Sequence, residues 1–131
     1  MDTTFLIDWL RGNERAKLRY EELQFDDNGQ PRRLTASIIT AYELEKGARL
    51  SNDPSKDTKL VHELLSELVI LGLDDSTVEL AAELYSELSR KGKPIGEFDI
   101  LISATCIASG EALVTDDRDF DRISRLNKLH Y

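Results

Sequence analysis

Four carboxylates stand where their type and surroundings could do chemistry. Asp2 lies at the opening of the chain, Glu43 in the first turn of a predicted helix, Asp99 in the first turn of a nearly all-apolar helix, and Asp117 two residues past a short strand. If such groups converge, two carboxylates ~4 Å apart repel by about 4 kcal/mol at an effective dielectric near 20. A cluster of them is therefore partly protonated, pushed apart, or joined by a cation. Oxygen donors with few nitrogen or sulphur alternatives point to Mg²⁺ or Mn²⁺ rather than zinc. Such an ion lowers the pKa of a bound water and stabilises the leaving oxygen of a phosphodiester. That chemistry needs no His or Cys nucleophile, and this chain has one cysteine and two scattered histidines.

Each acid also has a plainer reading. Asp2 alone reads as an exposed terminal residue, and Glu43 as a solvated helix acid or the partner of Lys46. Asp99 alone is a first-turn acid favoured by the helix dipole. Asp116, Asp117, Asp119 and Asp121 alone are a turn followed by a charged helix start. Only the elements that carry these residues can join them.

Those elements alternate. Met1 to Ile7 reads as the end of a strand running into a helix over Phe5 to Leu10. Glu14 to Leu23 is a second helical piece with Ala16, Tyr20 and Leu23 on one side. Asn28-Gly29 marks a turn, since this pair favours φ > 0. A strand follows over Arg33 to Ile39, with Thr40 placed to cap a helix carrying Tyr42 to Leu50. After Pro54, suited to a helix start, the positions Leu60, Val61, Leu64, Leu65 and Leu68 form one buried helical stripe. Val69 to Leu73 is a third strand, and Val78, Ala81, Ala82, Tyr85 and Leu88 mark another amphipathic helix. The apolar helix led by Asp99 follows, then a strand over Ala112 to Thr115, a short helix around Phe120 to Leu126, and an edge strand over Lys128 to Tyr131.

Strands alternating with helices predict an α/β fold: a parallel sheet of four to five short strands covered by helices on both faces, in a single domain over residues 1–131. In such a sheet Asp2, Glu43 and Asp117 follow strands, and Asp99 starts the helix that leads back into one. All four belong to the carboxyl edge, where open α/β sheets place their ligands. A shared edge does not by itself make them converge.

Composition narrows the partners. A net charge of −8 argues against capture of a polyanion by a basic face, so a nucleic-acid substrate requires metal ions or a local basic patch. One cysteine excludes an internal disulfide and a multi-thiolate zinc site, and Cys106 reads as a small core residue. The longest apolar run, Ile100 to Ala108, is too short to cross a bilayer, where ~20 residues are needed. No secretory signal is visible, so a cytoplasmic location is expected.

Other motifs carry less. The Asp117-Arg-Asp-Phe-Asp121 spacing is that of a calcium loop, but Arg122 stands at the required glycine and Lys128 at the terminal glutamate. No phosphate-binding or dinucleotide glycine fingerprint exists. A receiver-type phosphoacceptor would use Asp74 or Asp75, but no suitably placed lysine follows.

Taken together, four segments resemble the PIN-domain ribonucleases, particularly the VapC-type toxins. Asp2-Thr-Thr-Phe-Leu-Ile-Asp8 is similar to the family's opening Asp-Thr-Ser/Asn motif. Ser37-Ile-Ile-Thr-Ala-Tyr-Glu-Leu-Glu-Lys-Gly47 resembles its Ser-x-x-Thr-x-x-Glu-Leu-x-x-Gly segment. Gly96-Glu-Phe-Asp-Ile-Leu-Ile-Ser-Ala104 resembles the Gly-x-x-Asp-x-Leu-Ile-Ala-Ala helix, and Leu113-Val-Thr-Asp-Asp-Arg-Asp-Phe120 the Thr-x-Asp/Asn segment. The resemblance spans nearly the whole chain and implies a three-layer PIN-like domain with Mg²⁺- or Mn²⁺-dependent endoribonuclease activity. It implies Asp2, Glu43, Asp99 and Asp117 as catalytic, metal-binding acids, with Thr4, Thr115 and Asp116 in support. Asp116 is the rival of Asp117, and Glu45 of Glu43. It further implies an RNA substrate, a homodimer and a VapB-type antitoxin. Only Met1 precedes Asp2, so either the natural start lies upstream or the first strand is a stub with the α-amino group beside Asp2. A catalytically silent PIN-like interaction module is the alternative.

Overall fold

Short polar residues stand at nearly every helix start, and the structure uses them. In the computed structural model, which describes residues 1–131, α1 (Thr3–Leu10) follows Asp2, whose carboxylate accepts the Phe5 N–H. Asn13 caps α2 (Glu14–Leu23), Ser37 caps α3 (Ile38–Arg49), Asp53 caps α4 (Pro54–Glu67) and Asp74 caps α5 (Asp75–Arg90). Each such cap contributes about 1 kcal/mol. The apolar helix α6 (Glu97–Ser109) differs, with Gly96 at its start and no side-chain cap. It ends at Gly110 with φ 67°, where the Gly110 and Glu111 N–H groups turn back to the Ile107 and Cys106 carbonyls.

The caps move two boundaries. Because Asp2 caps α1, that helix begins at Thr3 rather than Phe5. Because the Ser37 hydroxyl accepts the Thr40 N–H at 2.9 Å, the helix expected to be capped by Thr40 starts at Ile38. The strand expected over Arg33 to Ile39 shrinks to β1 (Thr35–Ser37).

The sheet is small and parallel. β1 pairs with β2 (Val69–Leu71), and β3 (Leu113–Val114) pairs with β4 (Lys128–Leu129). Met1 and Asp2 bridge the two pairs: the α-amino group donates to the Thr35 carbonyl at 3.3 Å, and the Asp2 N–H to the Val114 carbonyl at 3.1 Å. The expected sheet is thus realised as two parallel pairs joined by a two-residue stub, which is too short for a full ladder. In place of the helix expected around Phe120 to Leu126, a 3₁₀ turn covers Arg118–Arg122 with Phe120 buried.

Helices cover both faces. Phe5, Leu6, Tyr20, Leu44, Val61, Leu64 and Val114 belong to one core, and Leu84, Leu88, Ile100, Ile102, Leu113 and Phe120 to the other. Leu113 and Val114 are adjacent yet enter different cores, as alternating strand residues must. The first core lies among α1 to α4, the second between the sheet and α5–α6. On α5 the buried positions are Thr77, Ala81, Leu84 and Leu88. Val78 and Tyr85, expected inward, are exposed, because the Asp74 cap binds Thr77 by both N–H and hydroxyl and turns that face inward. No helix is long and apolar enough to cross a membrane.

Candidate active site

Asp99 holds the third position of α6, mounted on a helix whose Ile100, Ile102, Ala104 and Cys106 are buried. Ser103 and Thr105 remain in this apolar setting because their hydroxyls donate to the Asp99 and Leu101 carbonyls one turn back. The Asp99 carboxylate is only partly solvated and accepts no hydrogen bond from the protein. Its pKa is raised from 3.8 to about 6, first by burial and then by the charges of Asp117, Glu43, Asp119 and Asp2. The fold therefore brings all four expected acids within electrostatic reach at one rim. Absence of a side chain at Gly96 leaves room for this carboxylate, since a Cβ there would lie 3.2 Å from Asp99 Oδ2.

Asp2 sits at the other extreme. It is 4% exposed, and its carboxylate accepts the Phe5 N–H at 2.7 Å and the Thr115 hydroxyl. Burial raises its pKa; those two hydrogen bonds and the nearby α-amino group pull it back. Burial in turn lowers the pKa of the α-amino group. Thr115 is completely buried, and its oxygen also accepts the Asp117 N–H at 3.0 Å. One hydroxyl thus ties Asp2 to the Asp117 turn, as its donor and acceptor capacity permits.

The rivals separate by their partners. Asp117 caps the 3₁₀ turn by accepting the Asp119 N–H and raises Asp99. Asp116 is drawn away, accepting the Tyr131 N–H at 2.9 Å and contacting Arg15 at 3.4 Å. Glu43 accepts a 2.6 Å hydrogen bond from Thr3, whereas Glu45 is taken by Arg49 and, at 2.6 Å, by His62. Thr4, expected as a supporting hydroxyl, is exposed. Thr3 does the reaching, because α1 begins two residues earlier than its apolar pattern suggests. Asp119, which the sequence offers only as one member of the acidic run Asp116 to Asp121, also adds its charge at Asp99. Asp74 is consumed as the α5 cap, where Thr77 and Ser76 hold its carboxyl below the usual range. Asp121 pairs with Lys128 at 3.0 Å, which removes it from any calcium loop.

No three of these acids form a ready ligand cage. Asp2, Glu43 and Asp117 are each held by a local donor, so the rim is preset but not closed. Its donors are oxygen only, and charge repulsion at Asp99 is the unsatisfied term. That set fits a hard divalent cation.

Short parallel strands with helices on both faces and a carboxylate rim at one edge define a small α/β domain with an acidic, oxygen-donor site. The PIN domain family model matches residues 1–126, and the chain belongs to the PIN-domain family. The tRNA(fMet)-specific endonuclease VapC of Salmonella typhimurium is 34% identical over 92 residues, 70% of each chain. Ribonuclease VapC2 of Haemophilus influenzae is 35% identical over 95 residues, 72% of each. Among solved structures, VapBC2 from Rickettsia felis bound to a DNA fragment from their promoter matches with a TM-score of 0.88 at 26% identity, covering 99% of this chain and 96% of that one.

Proposed function

We propose that this protein is the ribonuclease toxin of a VapBC-type pair: a Mg²⁺- or Mn²⁺-dependent endoribonuclease that hydrolyses RNA phosphodiester bonds. The carrying observation is the Asp99 carboxylate, raised to about 6 by burial and by Asp117, Glu43 and Asp2. The ribonuclease names of the relatives support the substrate class, and the likeness to a VapBC complex supports a VapB-type antitoxin as partner. Residues 1–131 act as one PIN unit in the cytoplasm, as a homodimer.

In this reading Asp2, Glu43, Asp99 and Asp117 hold the cation, which when bound supplies an activated water and neutralises phosphate charge. Thr115 keeps Asp2 and Asp117 in register, and Thr3 orients Glu43. Glycine at position 96 lets Asp99 lean over the start of α6. A basic antitoxin segment entering this acidic rim would satisfy the same charges and so inhibit.

The test is cleavage of a transfer RNA pool by purified protein with Mn²⁺. Discrete cuts are expected, lost with EDTA and in Asp117→Asn, and suppressed by a co-purified antitoxin. Equal cleavage by wild type and Asp117→Asn overturns the assignment of that acid. No cleavage by the antitoxin-free wild type, alongside tight binding of the antitoxin, favours the silent interaction module.

A further inference from the structure

Two exposed aromatic side chains stand directly beside two of the rim acids. Tyr42 immediately precedes Glu43 and Phe98 immediately precedes Asp99, and they are 51% and 38% exposed. They meet edge to face across the α3–α6 junction, with ring centroids 5.7 Å apart. Lys46 Nζ lies 5.4 Å from the Tyr42 centroid and 5.6 Å from that of Phe98. The ion pair between Lys46 and Glu43 that the sequence allowed does not form. Lys46 has no carboxylate partner at all, although the chain carries a net charge of −8.

We propose that Tyr42, Phe98 and Lys46 form a nucleotide-binding step at the lip of the acidic rim. An unpaired RNA base stacks on the aromatic pair, and Lys46 meets the adjoining phosphate. The inference rests on the ribonuclease reading and specifies how that site holds its substrate.

Three arguments carry it. Single-stranded RNA is gripped chiefly by stacking on aromatic side chains, because every base has a π-face. The same two helices carry both the rings and the acids, Tyr42 and Glu43 in the second turn of α3 and Phe98 and Asp99 in the first turn of α6, so a base on the rings is held beside the rim. A phosphate approaching an acidic protein needs a local cation, and Lys46 is a free one placed on the rings themselves. The neighbouring surface over Ile38 and Leu50 is apolar and exposed, which also suits a second copy of this chain. Lys46, unpaired within the chain, gives this face a positive charge that a phosphate complements directly.

The test uses a short single-stranded RNA with 2-aminopurine beside the mapped cut. In EDTA, wild type is expected to quench its fluorescence by stacking, and Tyr42→Leu and Phe98→Leu to lose that quenching. With Mn²⁺, both variants should raise KM at least fivefold, the low end for one stacked base, with kcat within twofold. Tyr42→Phe should behave as wild type, and Lys46→Gln should raise KM and flatten its salt dependence. Unchanged quenching and KM in the leucine variants, while wild type cuts RNA, overturns this step alone. Loss of binding that sedimentation traces to a dissociated dimer assigns the face to a second copy and also overturns it. A wild type that neither binds nor cuts RNA removes the ribonuclease reading, and this step with it.

Discussion

Asp2 and Asp99 lie at one rim, yet the fold treats them in opposite ways. Asp2 is buried deeper, but it is a helix cap with a backbone donor and a hydroxyl donor, so its charge is partly compensated. Asp99 is more open to water and has no donor, and three other carboxylates and Asp119 raise its pKa further. Burial alone therefore does not identify a poised group; the balance of donors against like charges does. Asp2 serves the fold and the rim together, while Asp99 costs the fold energy that only a cation or a proton can return.

The sharpest way to break this contrast is Asp99→Asn. RNA cleavage is expected to fall on the order of 1000-fold, while the metal-free protein at pH 7.5 gains roughly 1–2 kcal/mol. That gain is discounted from the ~3 kcal/mol of a two-unit pKa shift because the group is partly solvated. Cleavage assays and denaturant titration measure the pair, and a variant that is active or destabilised contradicts the account.

Asp2→Ala should move stability the other way. Losing the cap and orphaning the buried Phe5 N–H and Thr115 hydroxyl should cost about 2 kcal/mol, read as a lowered denaturation midpoint. A neutral result would mean that the stub between β1 and β3 is held by its backbone bonds alone.

The pH dependence of Asp99 follows from its raised folded pKa. Between the unfolded value near 3.8 and the folded value of about 6, the native state keeps a proton that the unfolded chain has released. Its contribution to stability thus falls as pH rises through that window and is flat above it. Wild type minus Asp99→Asn should show this difference opening from pH 4 to 6 in EDTA. Calorimetry of Mn²⁺ binding in buffers of different ionisation heat should also find proton release near pH 6 that fades by pH 8.

The smallest expected effect is at Gly96. Gly96→Ala places a methyl 3.2 Å from Asp99 Oδ2, so the carboxylate must shift by a few tenths of an ångström. A threefold or so loss of Mn²⁺ affinity is expected, with stability changed by less than ~0.5 kcal/mol, as read by titration and thermal melts.

Much of the scaffold was legible because its cues are local. The stripe Ala16, Tyr20, Leu23 and the all-round apolar α6 announce their own burial, since helical periodicity is a property of nearby residues. Helix starts were less legible: Ser37 and Thr40 are both capping residues, and only the backbone path into β1 chose Ser37. The same ambiguity at Asp2 hid Thr3 behind Thr4. Val78 and Tyr85 were misplaced because a stripe one residue over also satisfies the pattern, and the Asp74–Thr77 cap decided between them.

By itself, the sequence determined that acids would sit at the carboxyl edge of a parallel α/β sheet, because strand–helix alternation sets chain direction. Tertiary structure alone decided which acids face one another. Asp116 and Glu45 lie one and two residues from Asp117 and Glu43, yet contacts with Tyr131 and Arg15, and with Arg49 and His62, draw them off. Like charges this close in sequence differ in the partners they meet: Arg49 is one helical turn from Glu45, but Arg15, Tyr131 and His62 are brought in by folding from elsewhere in the chain.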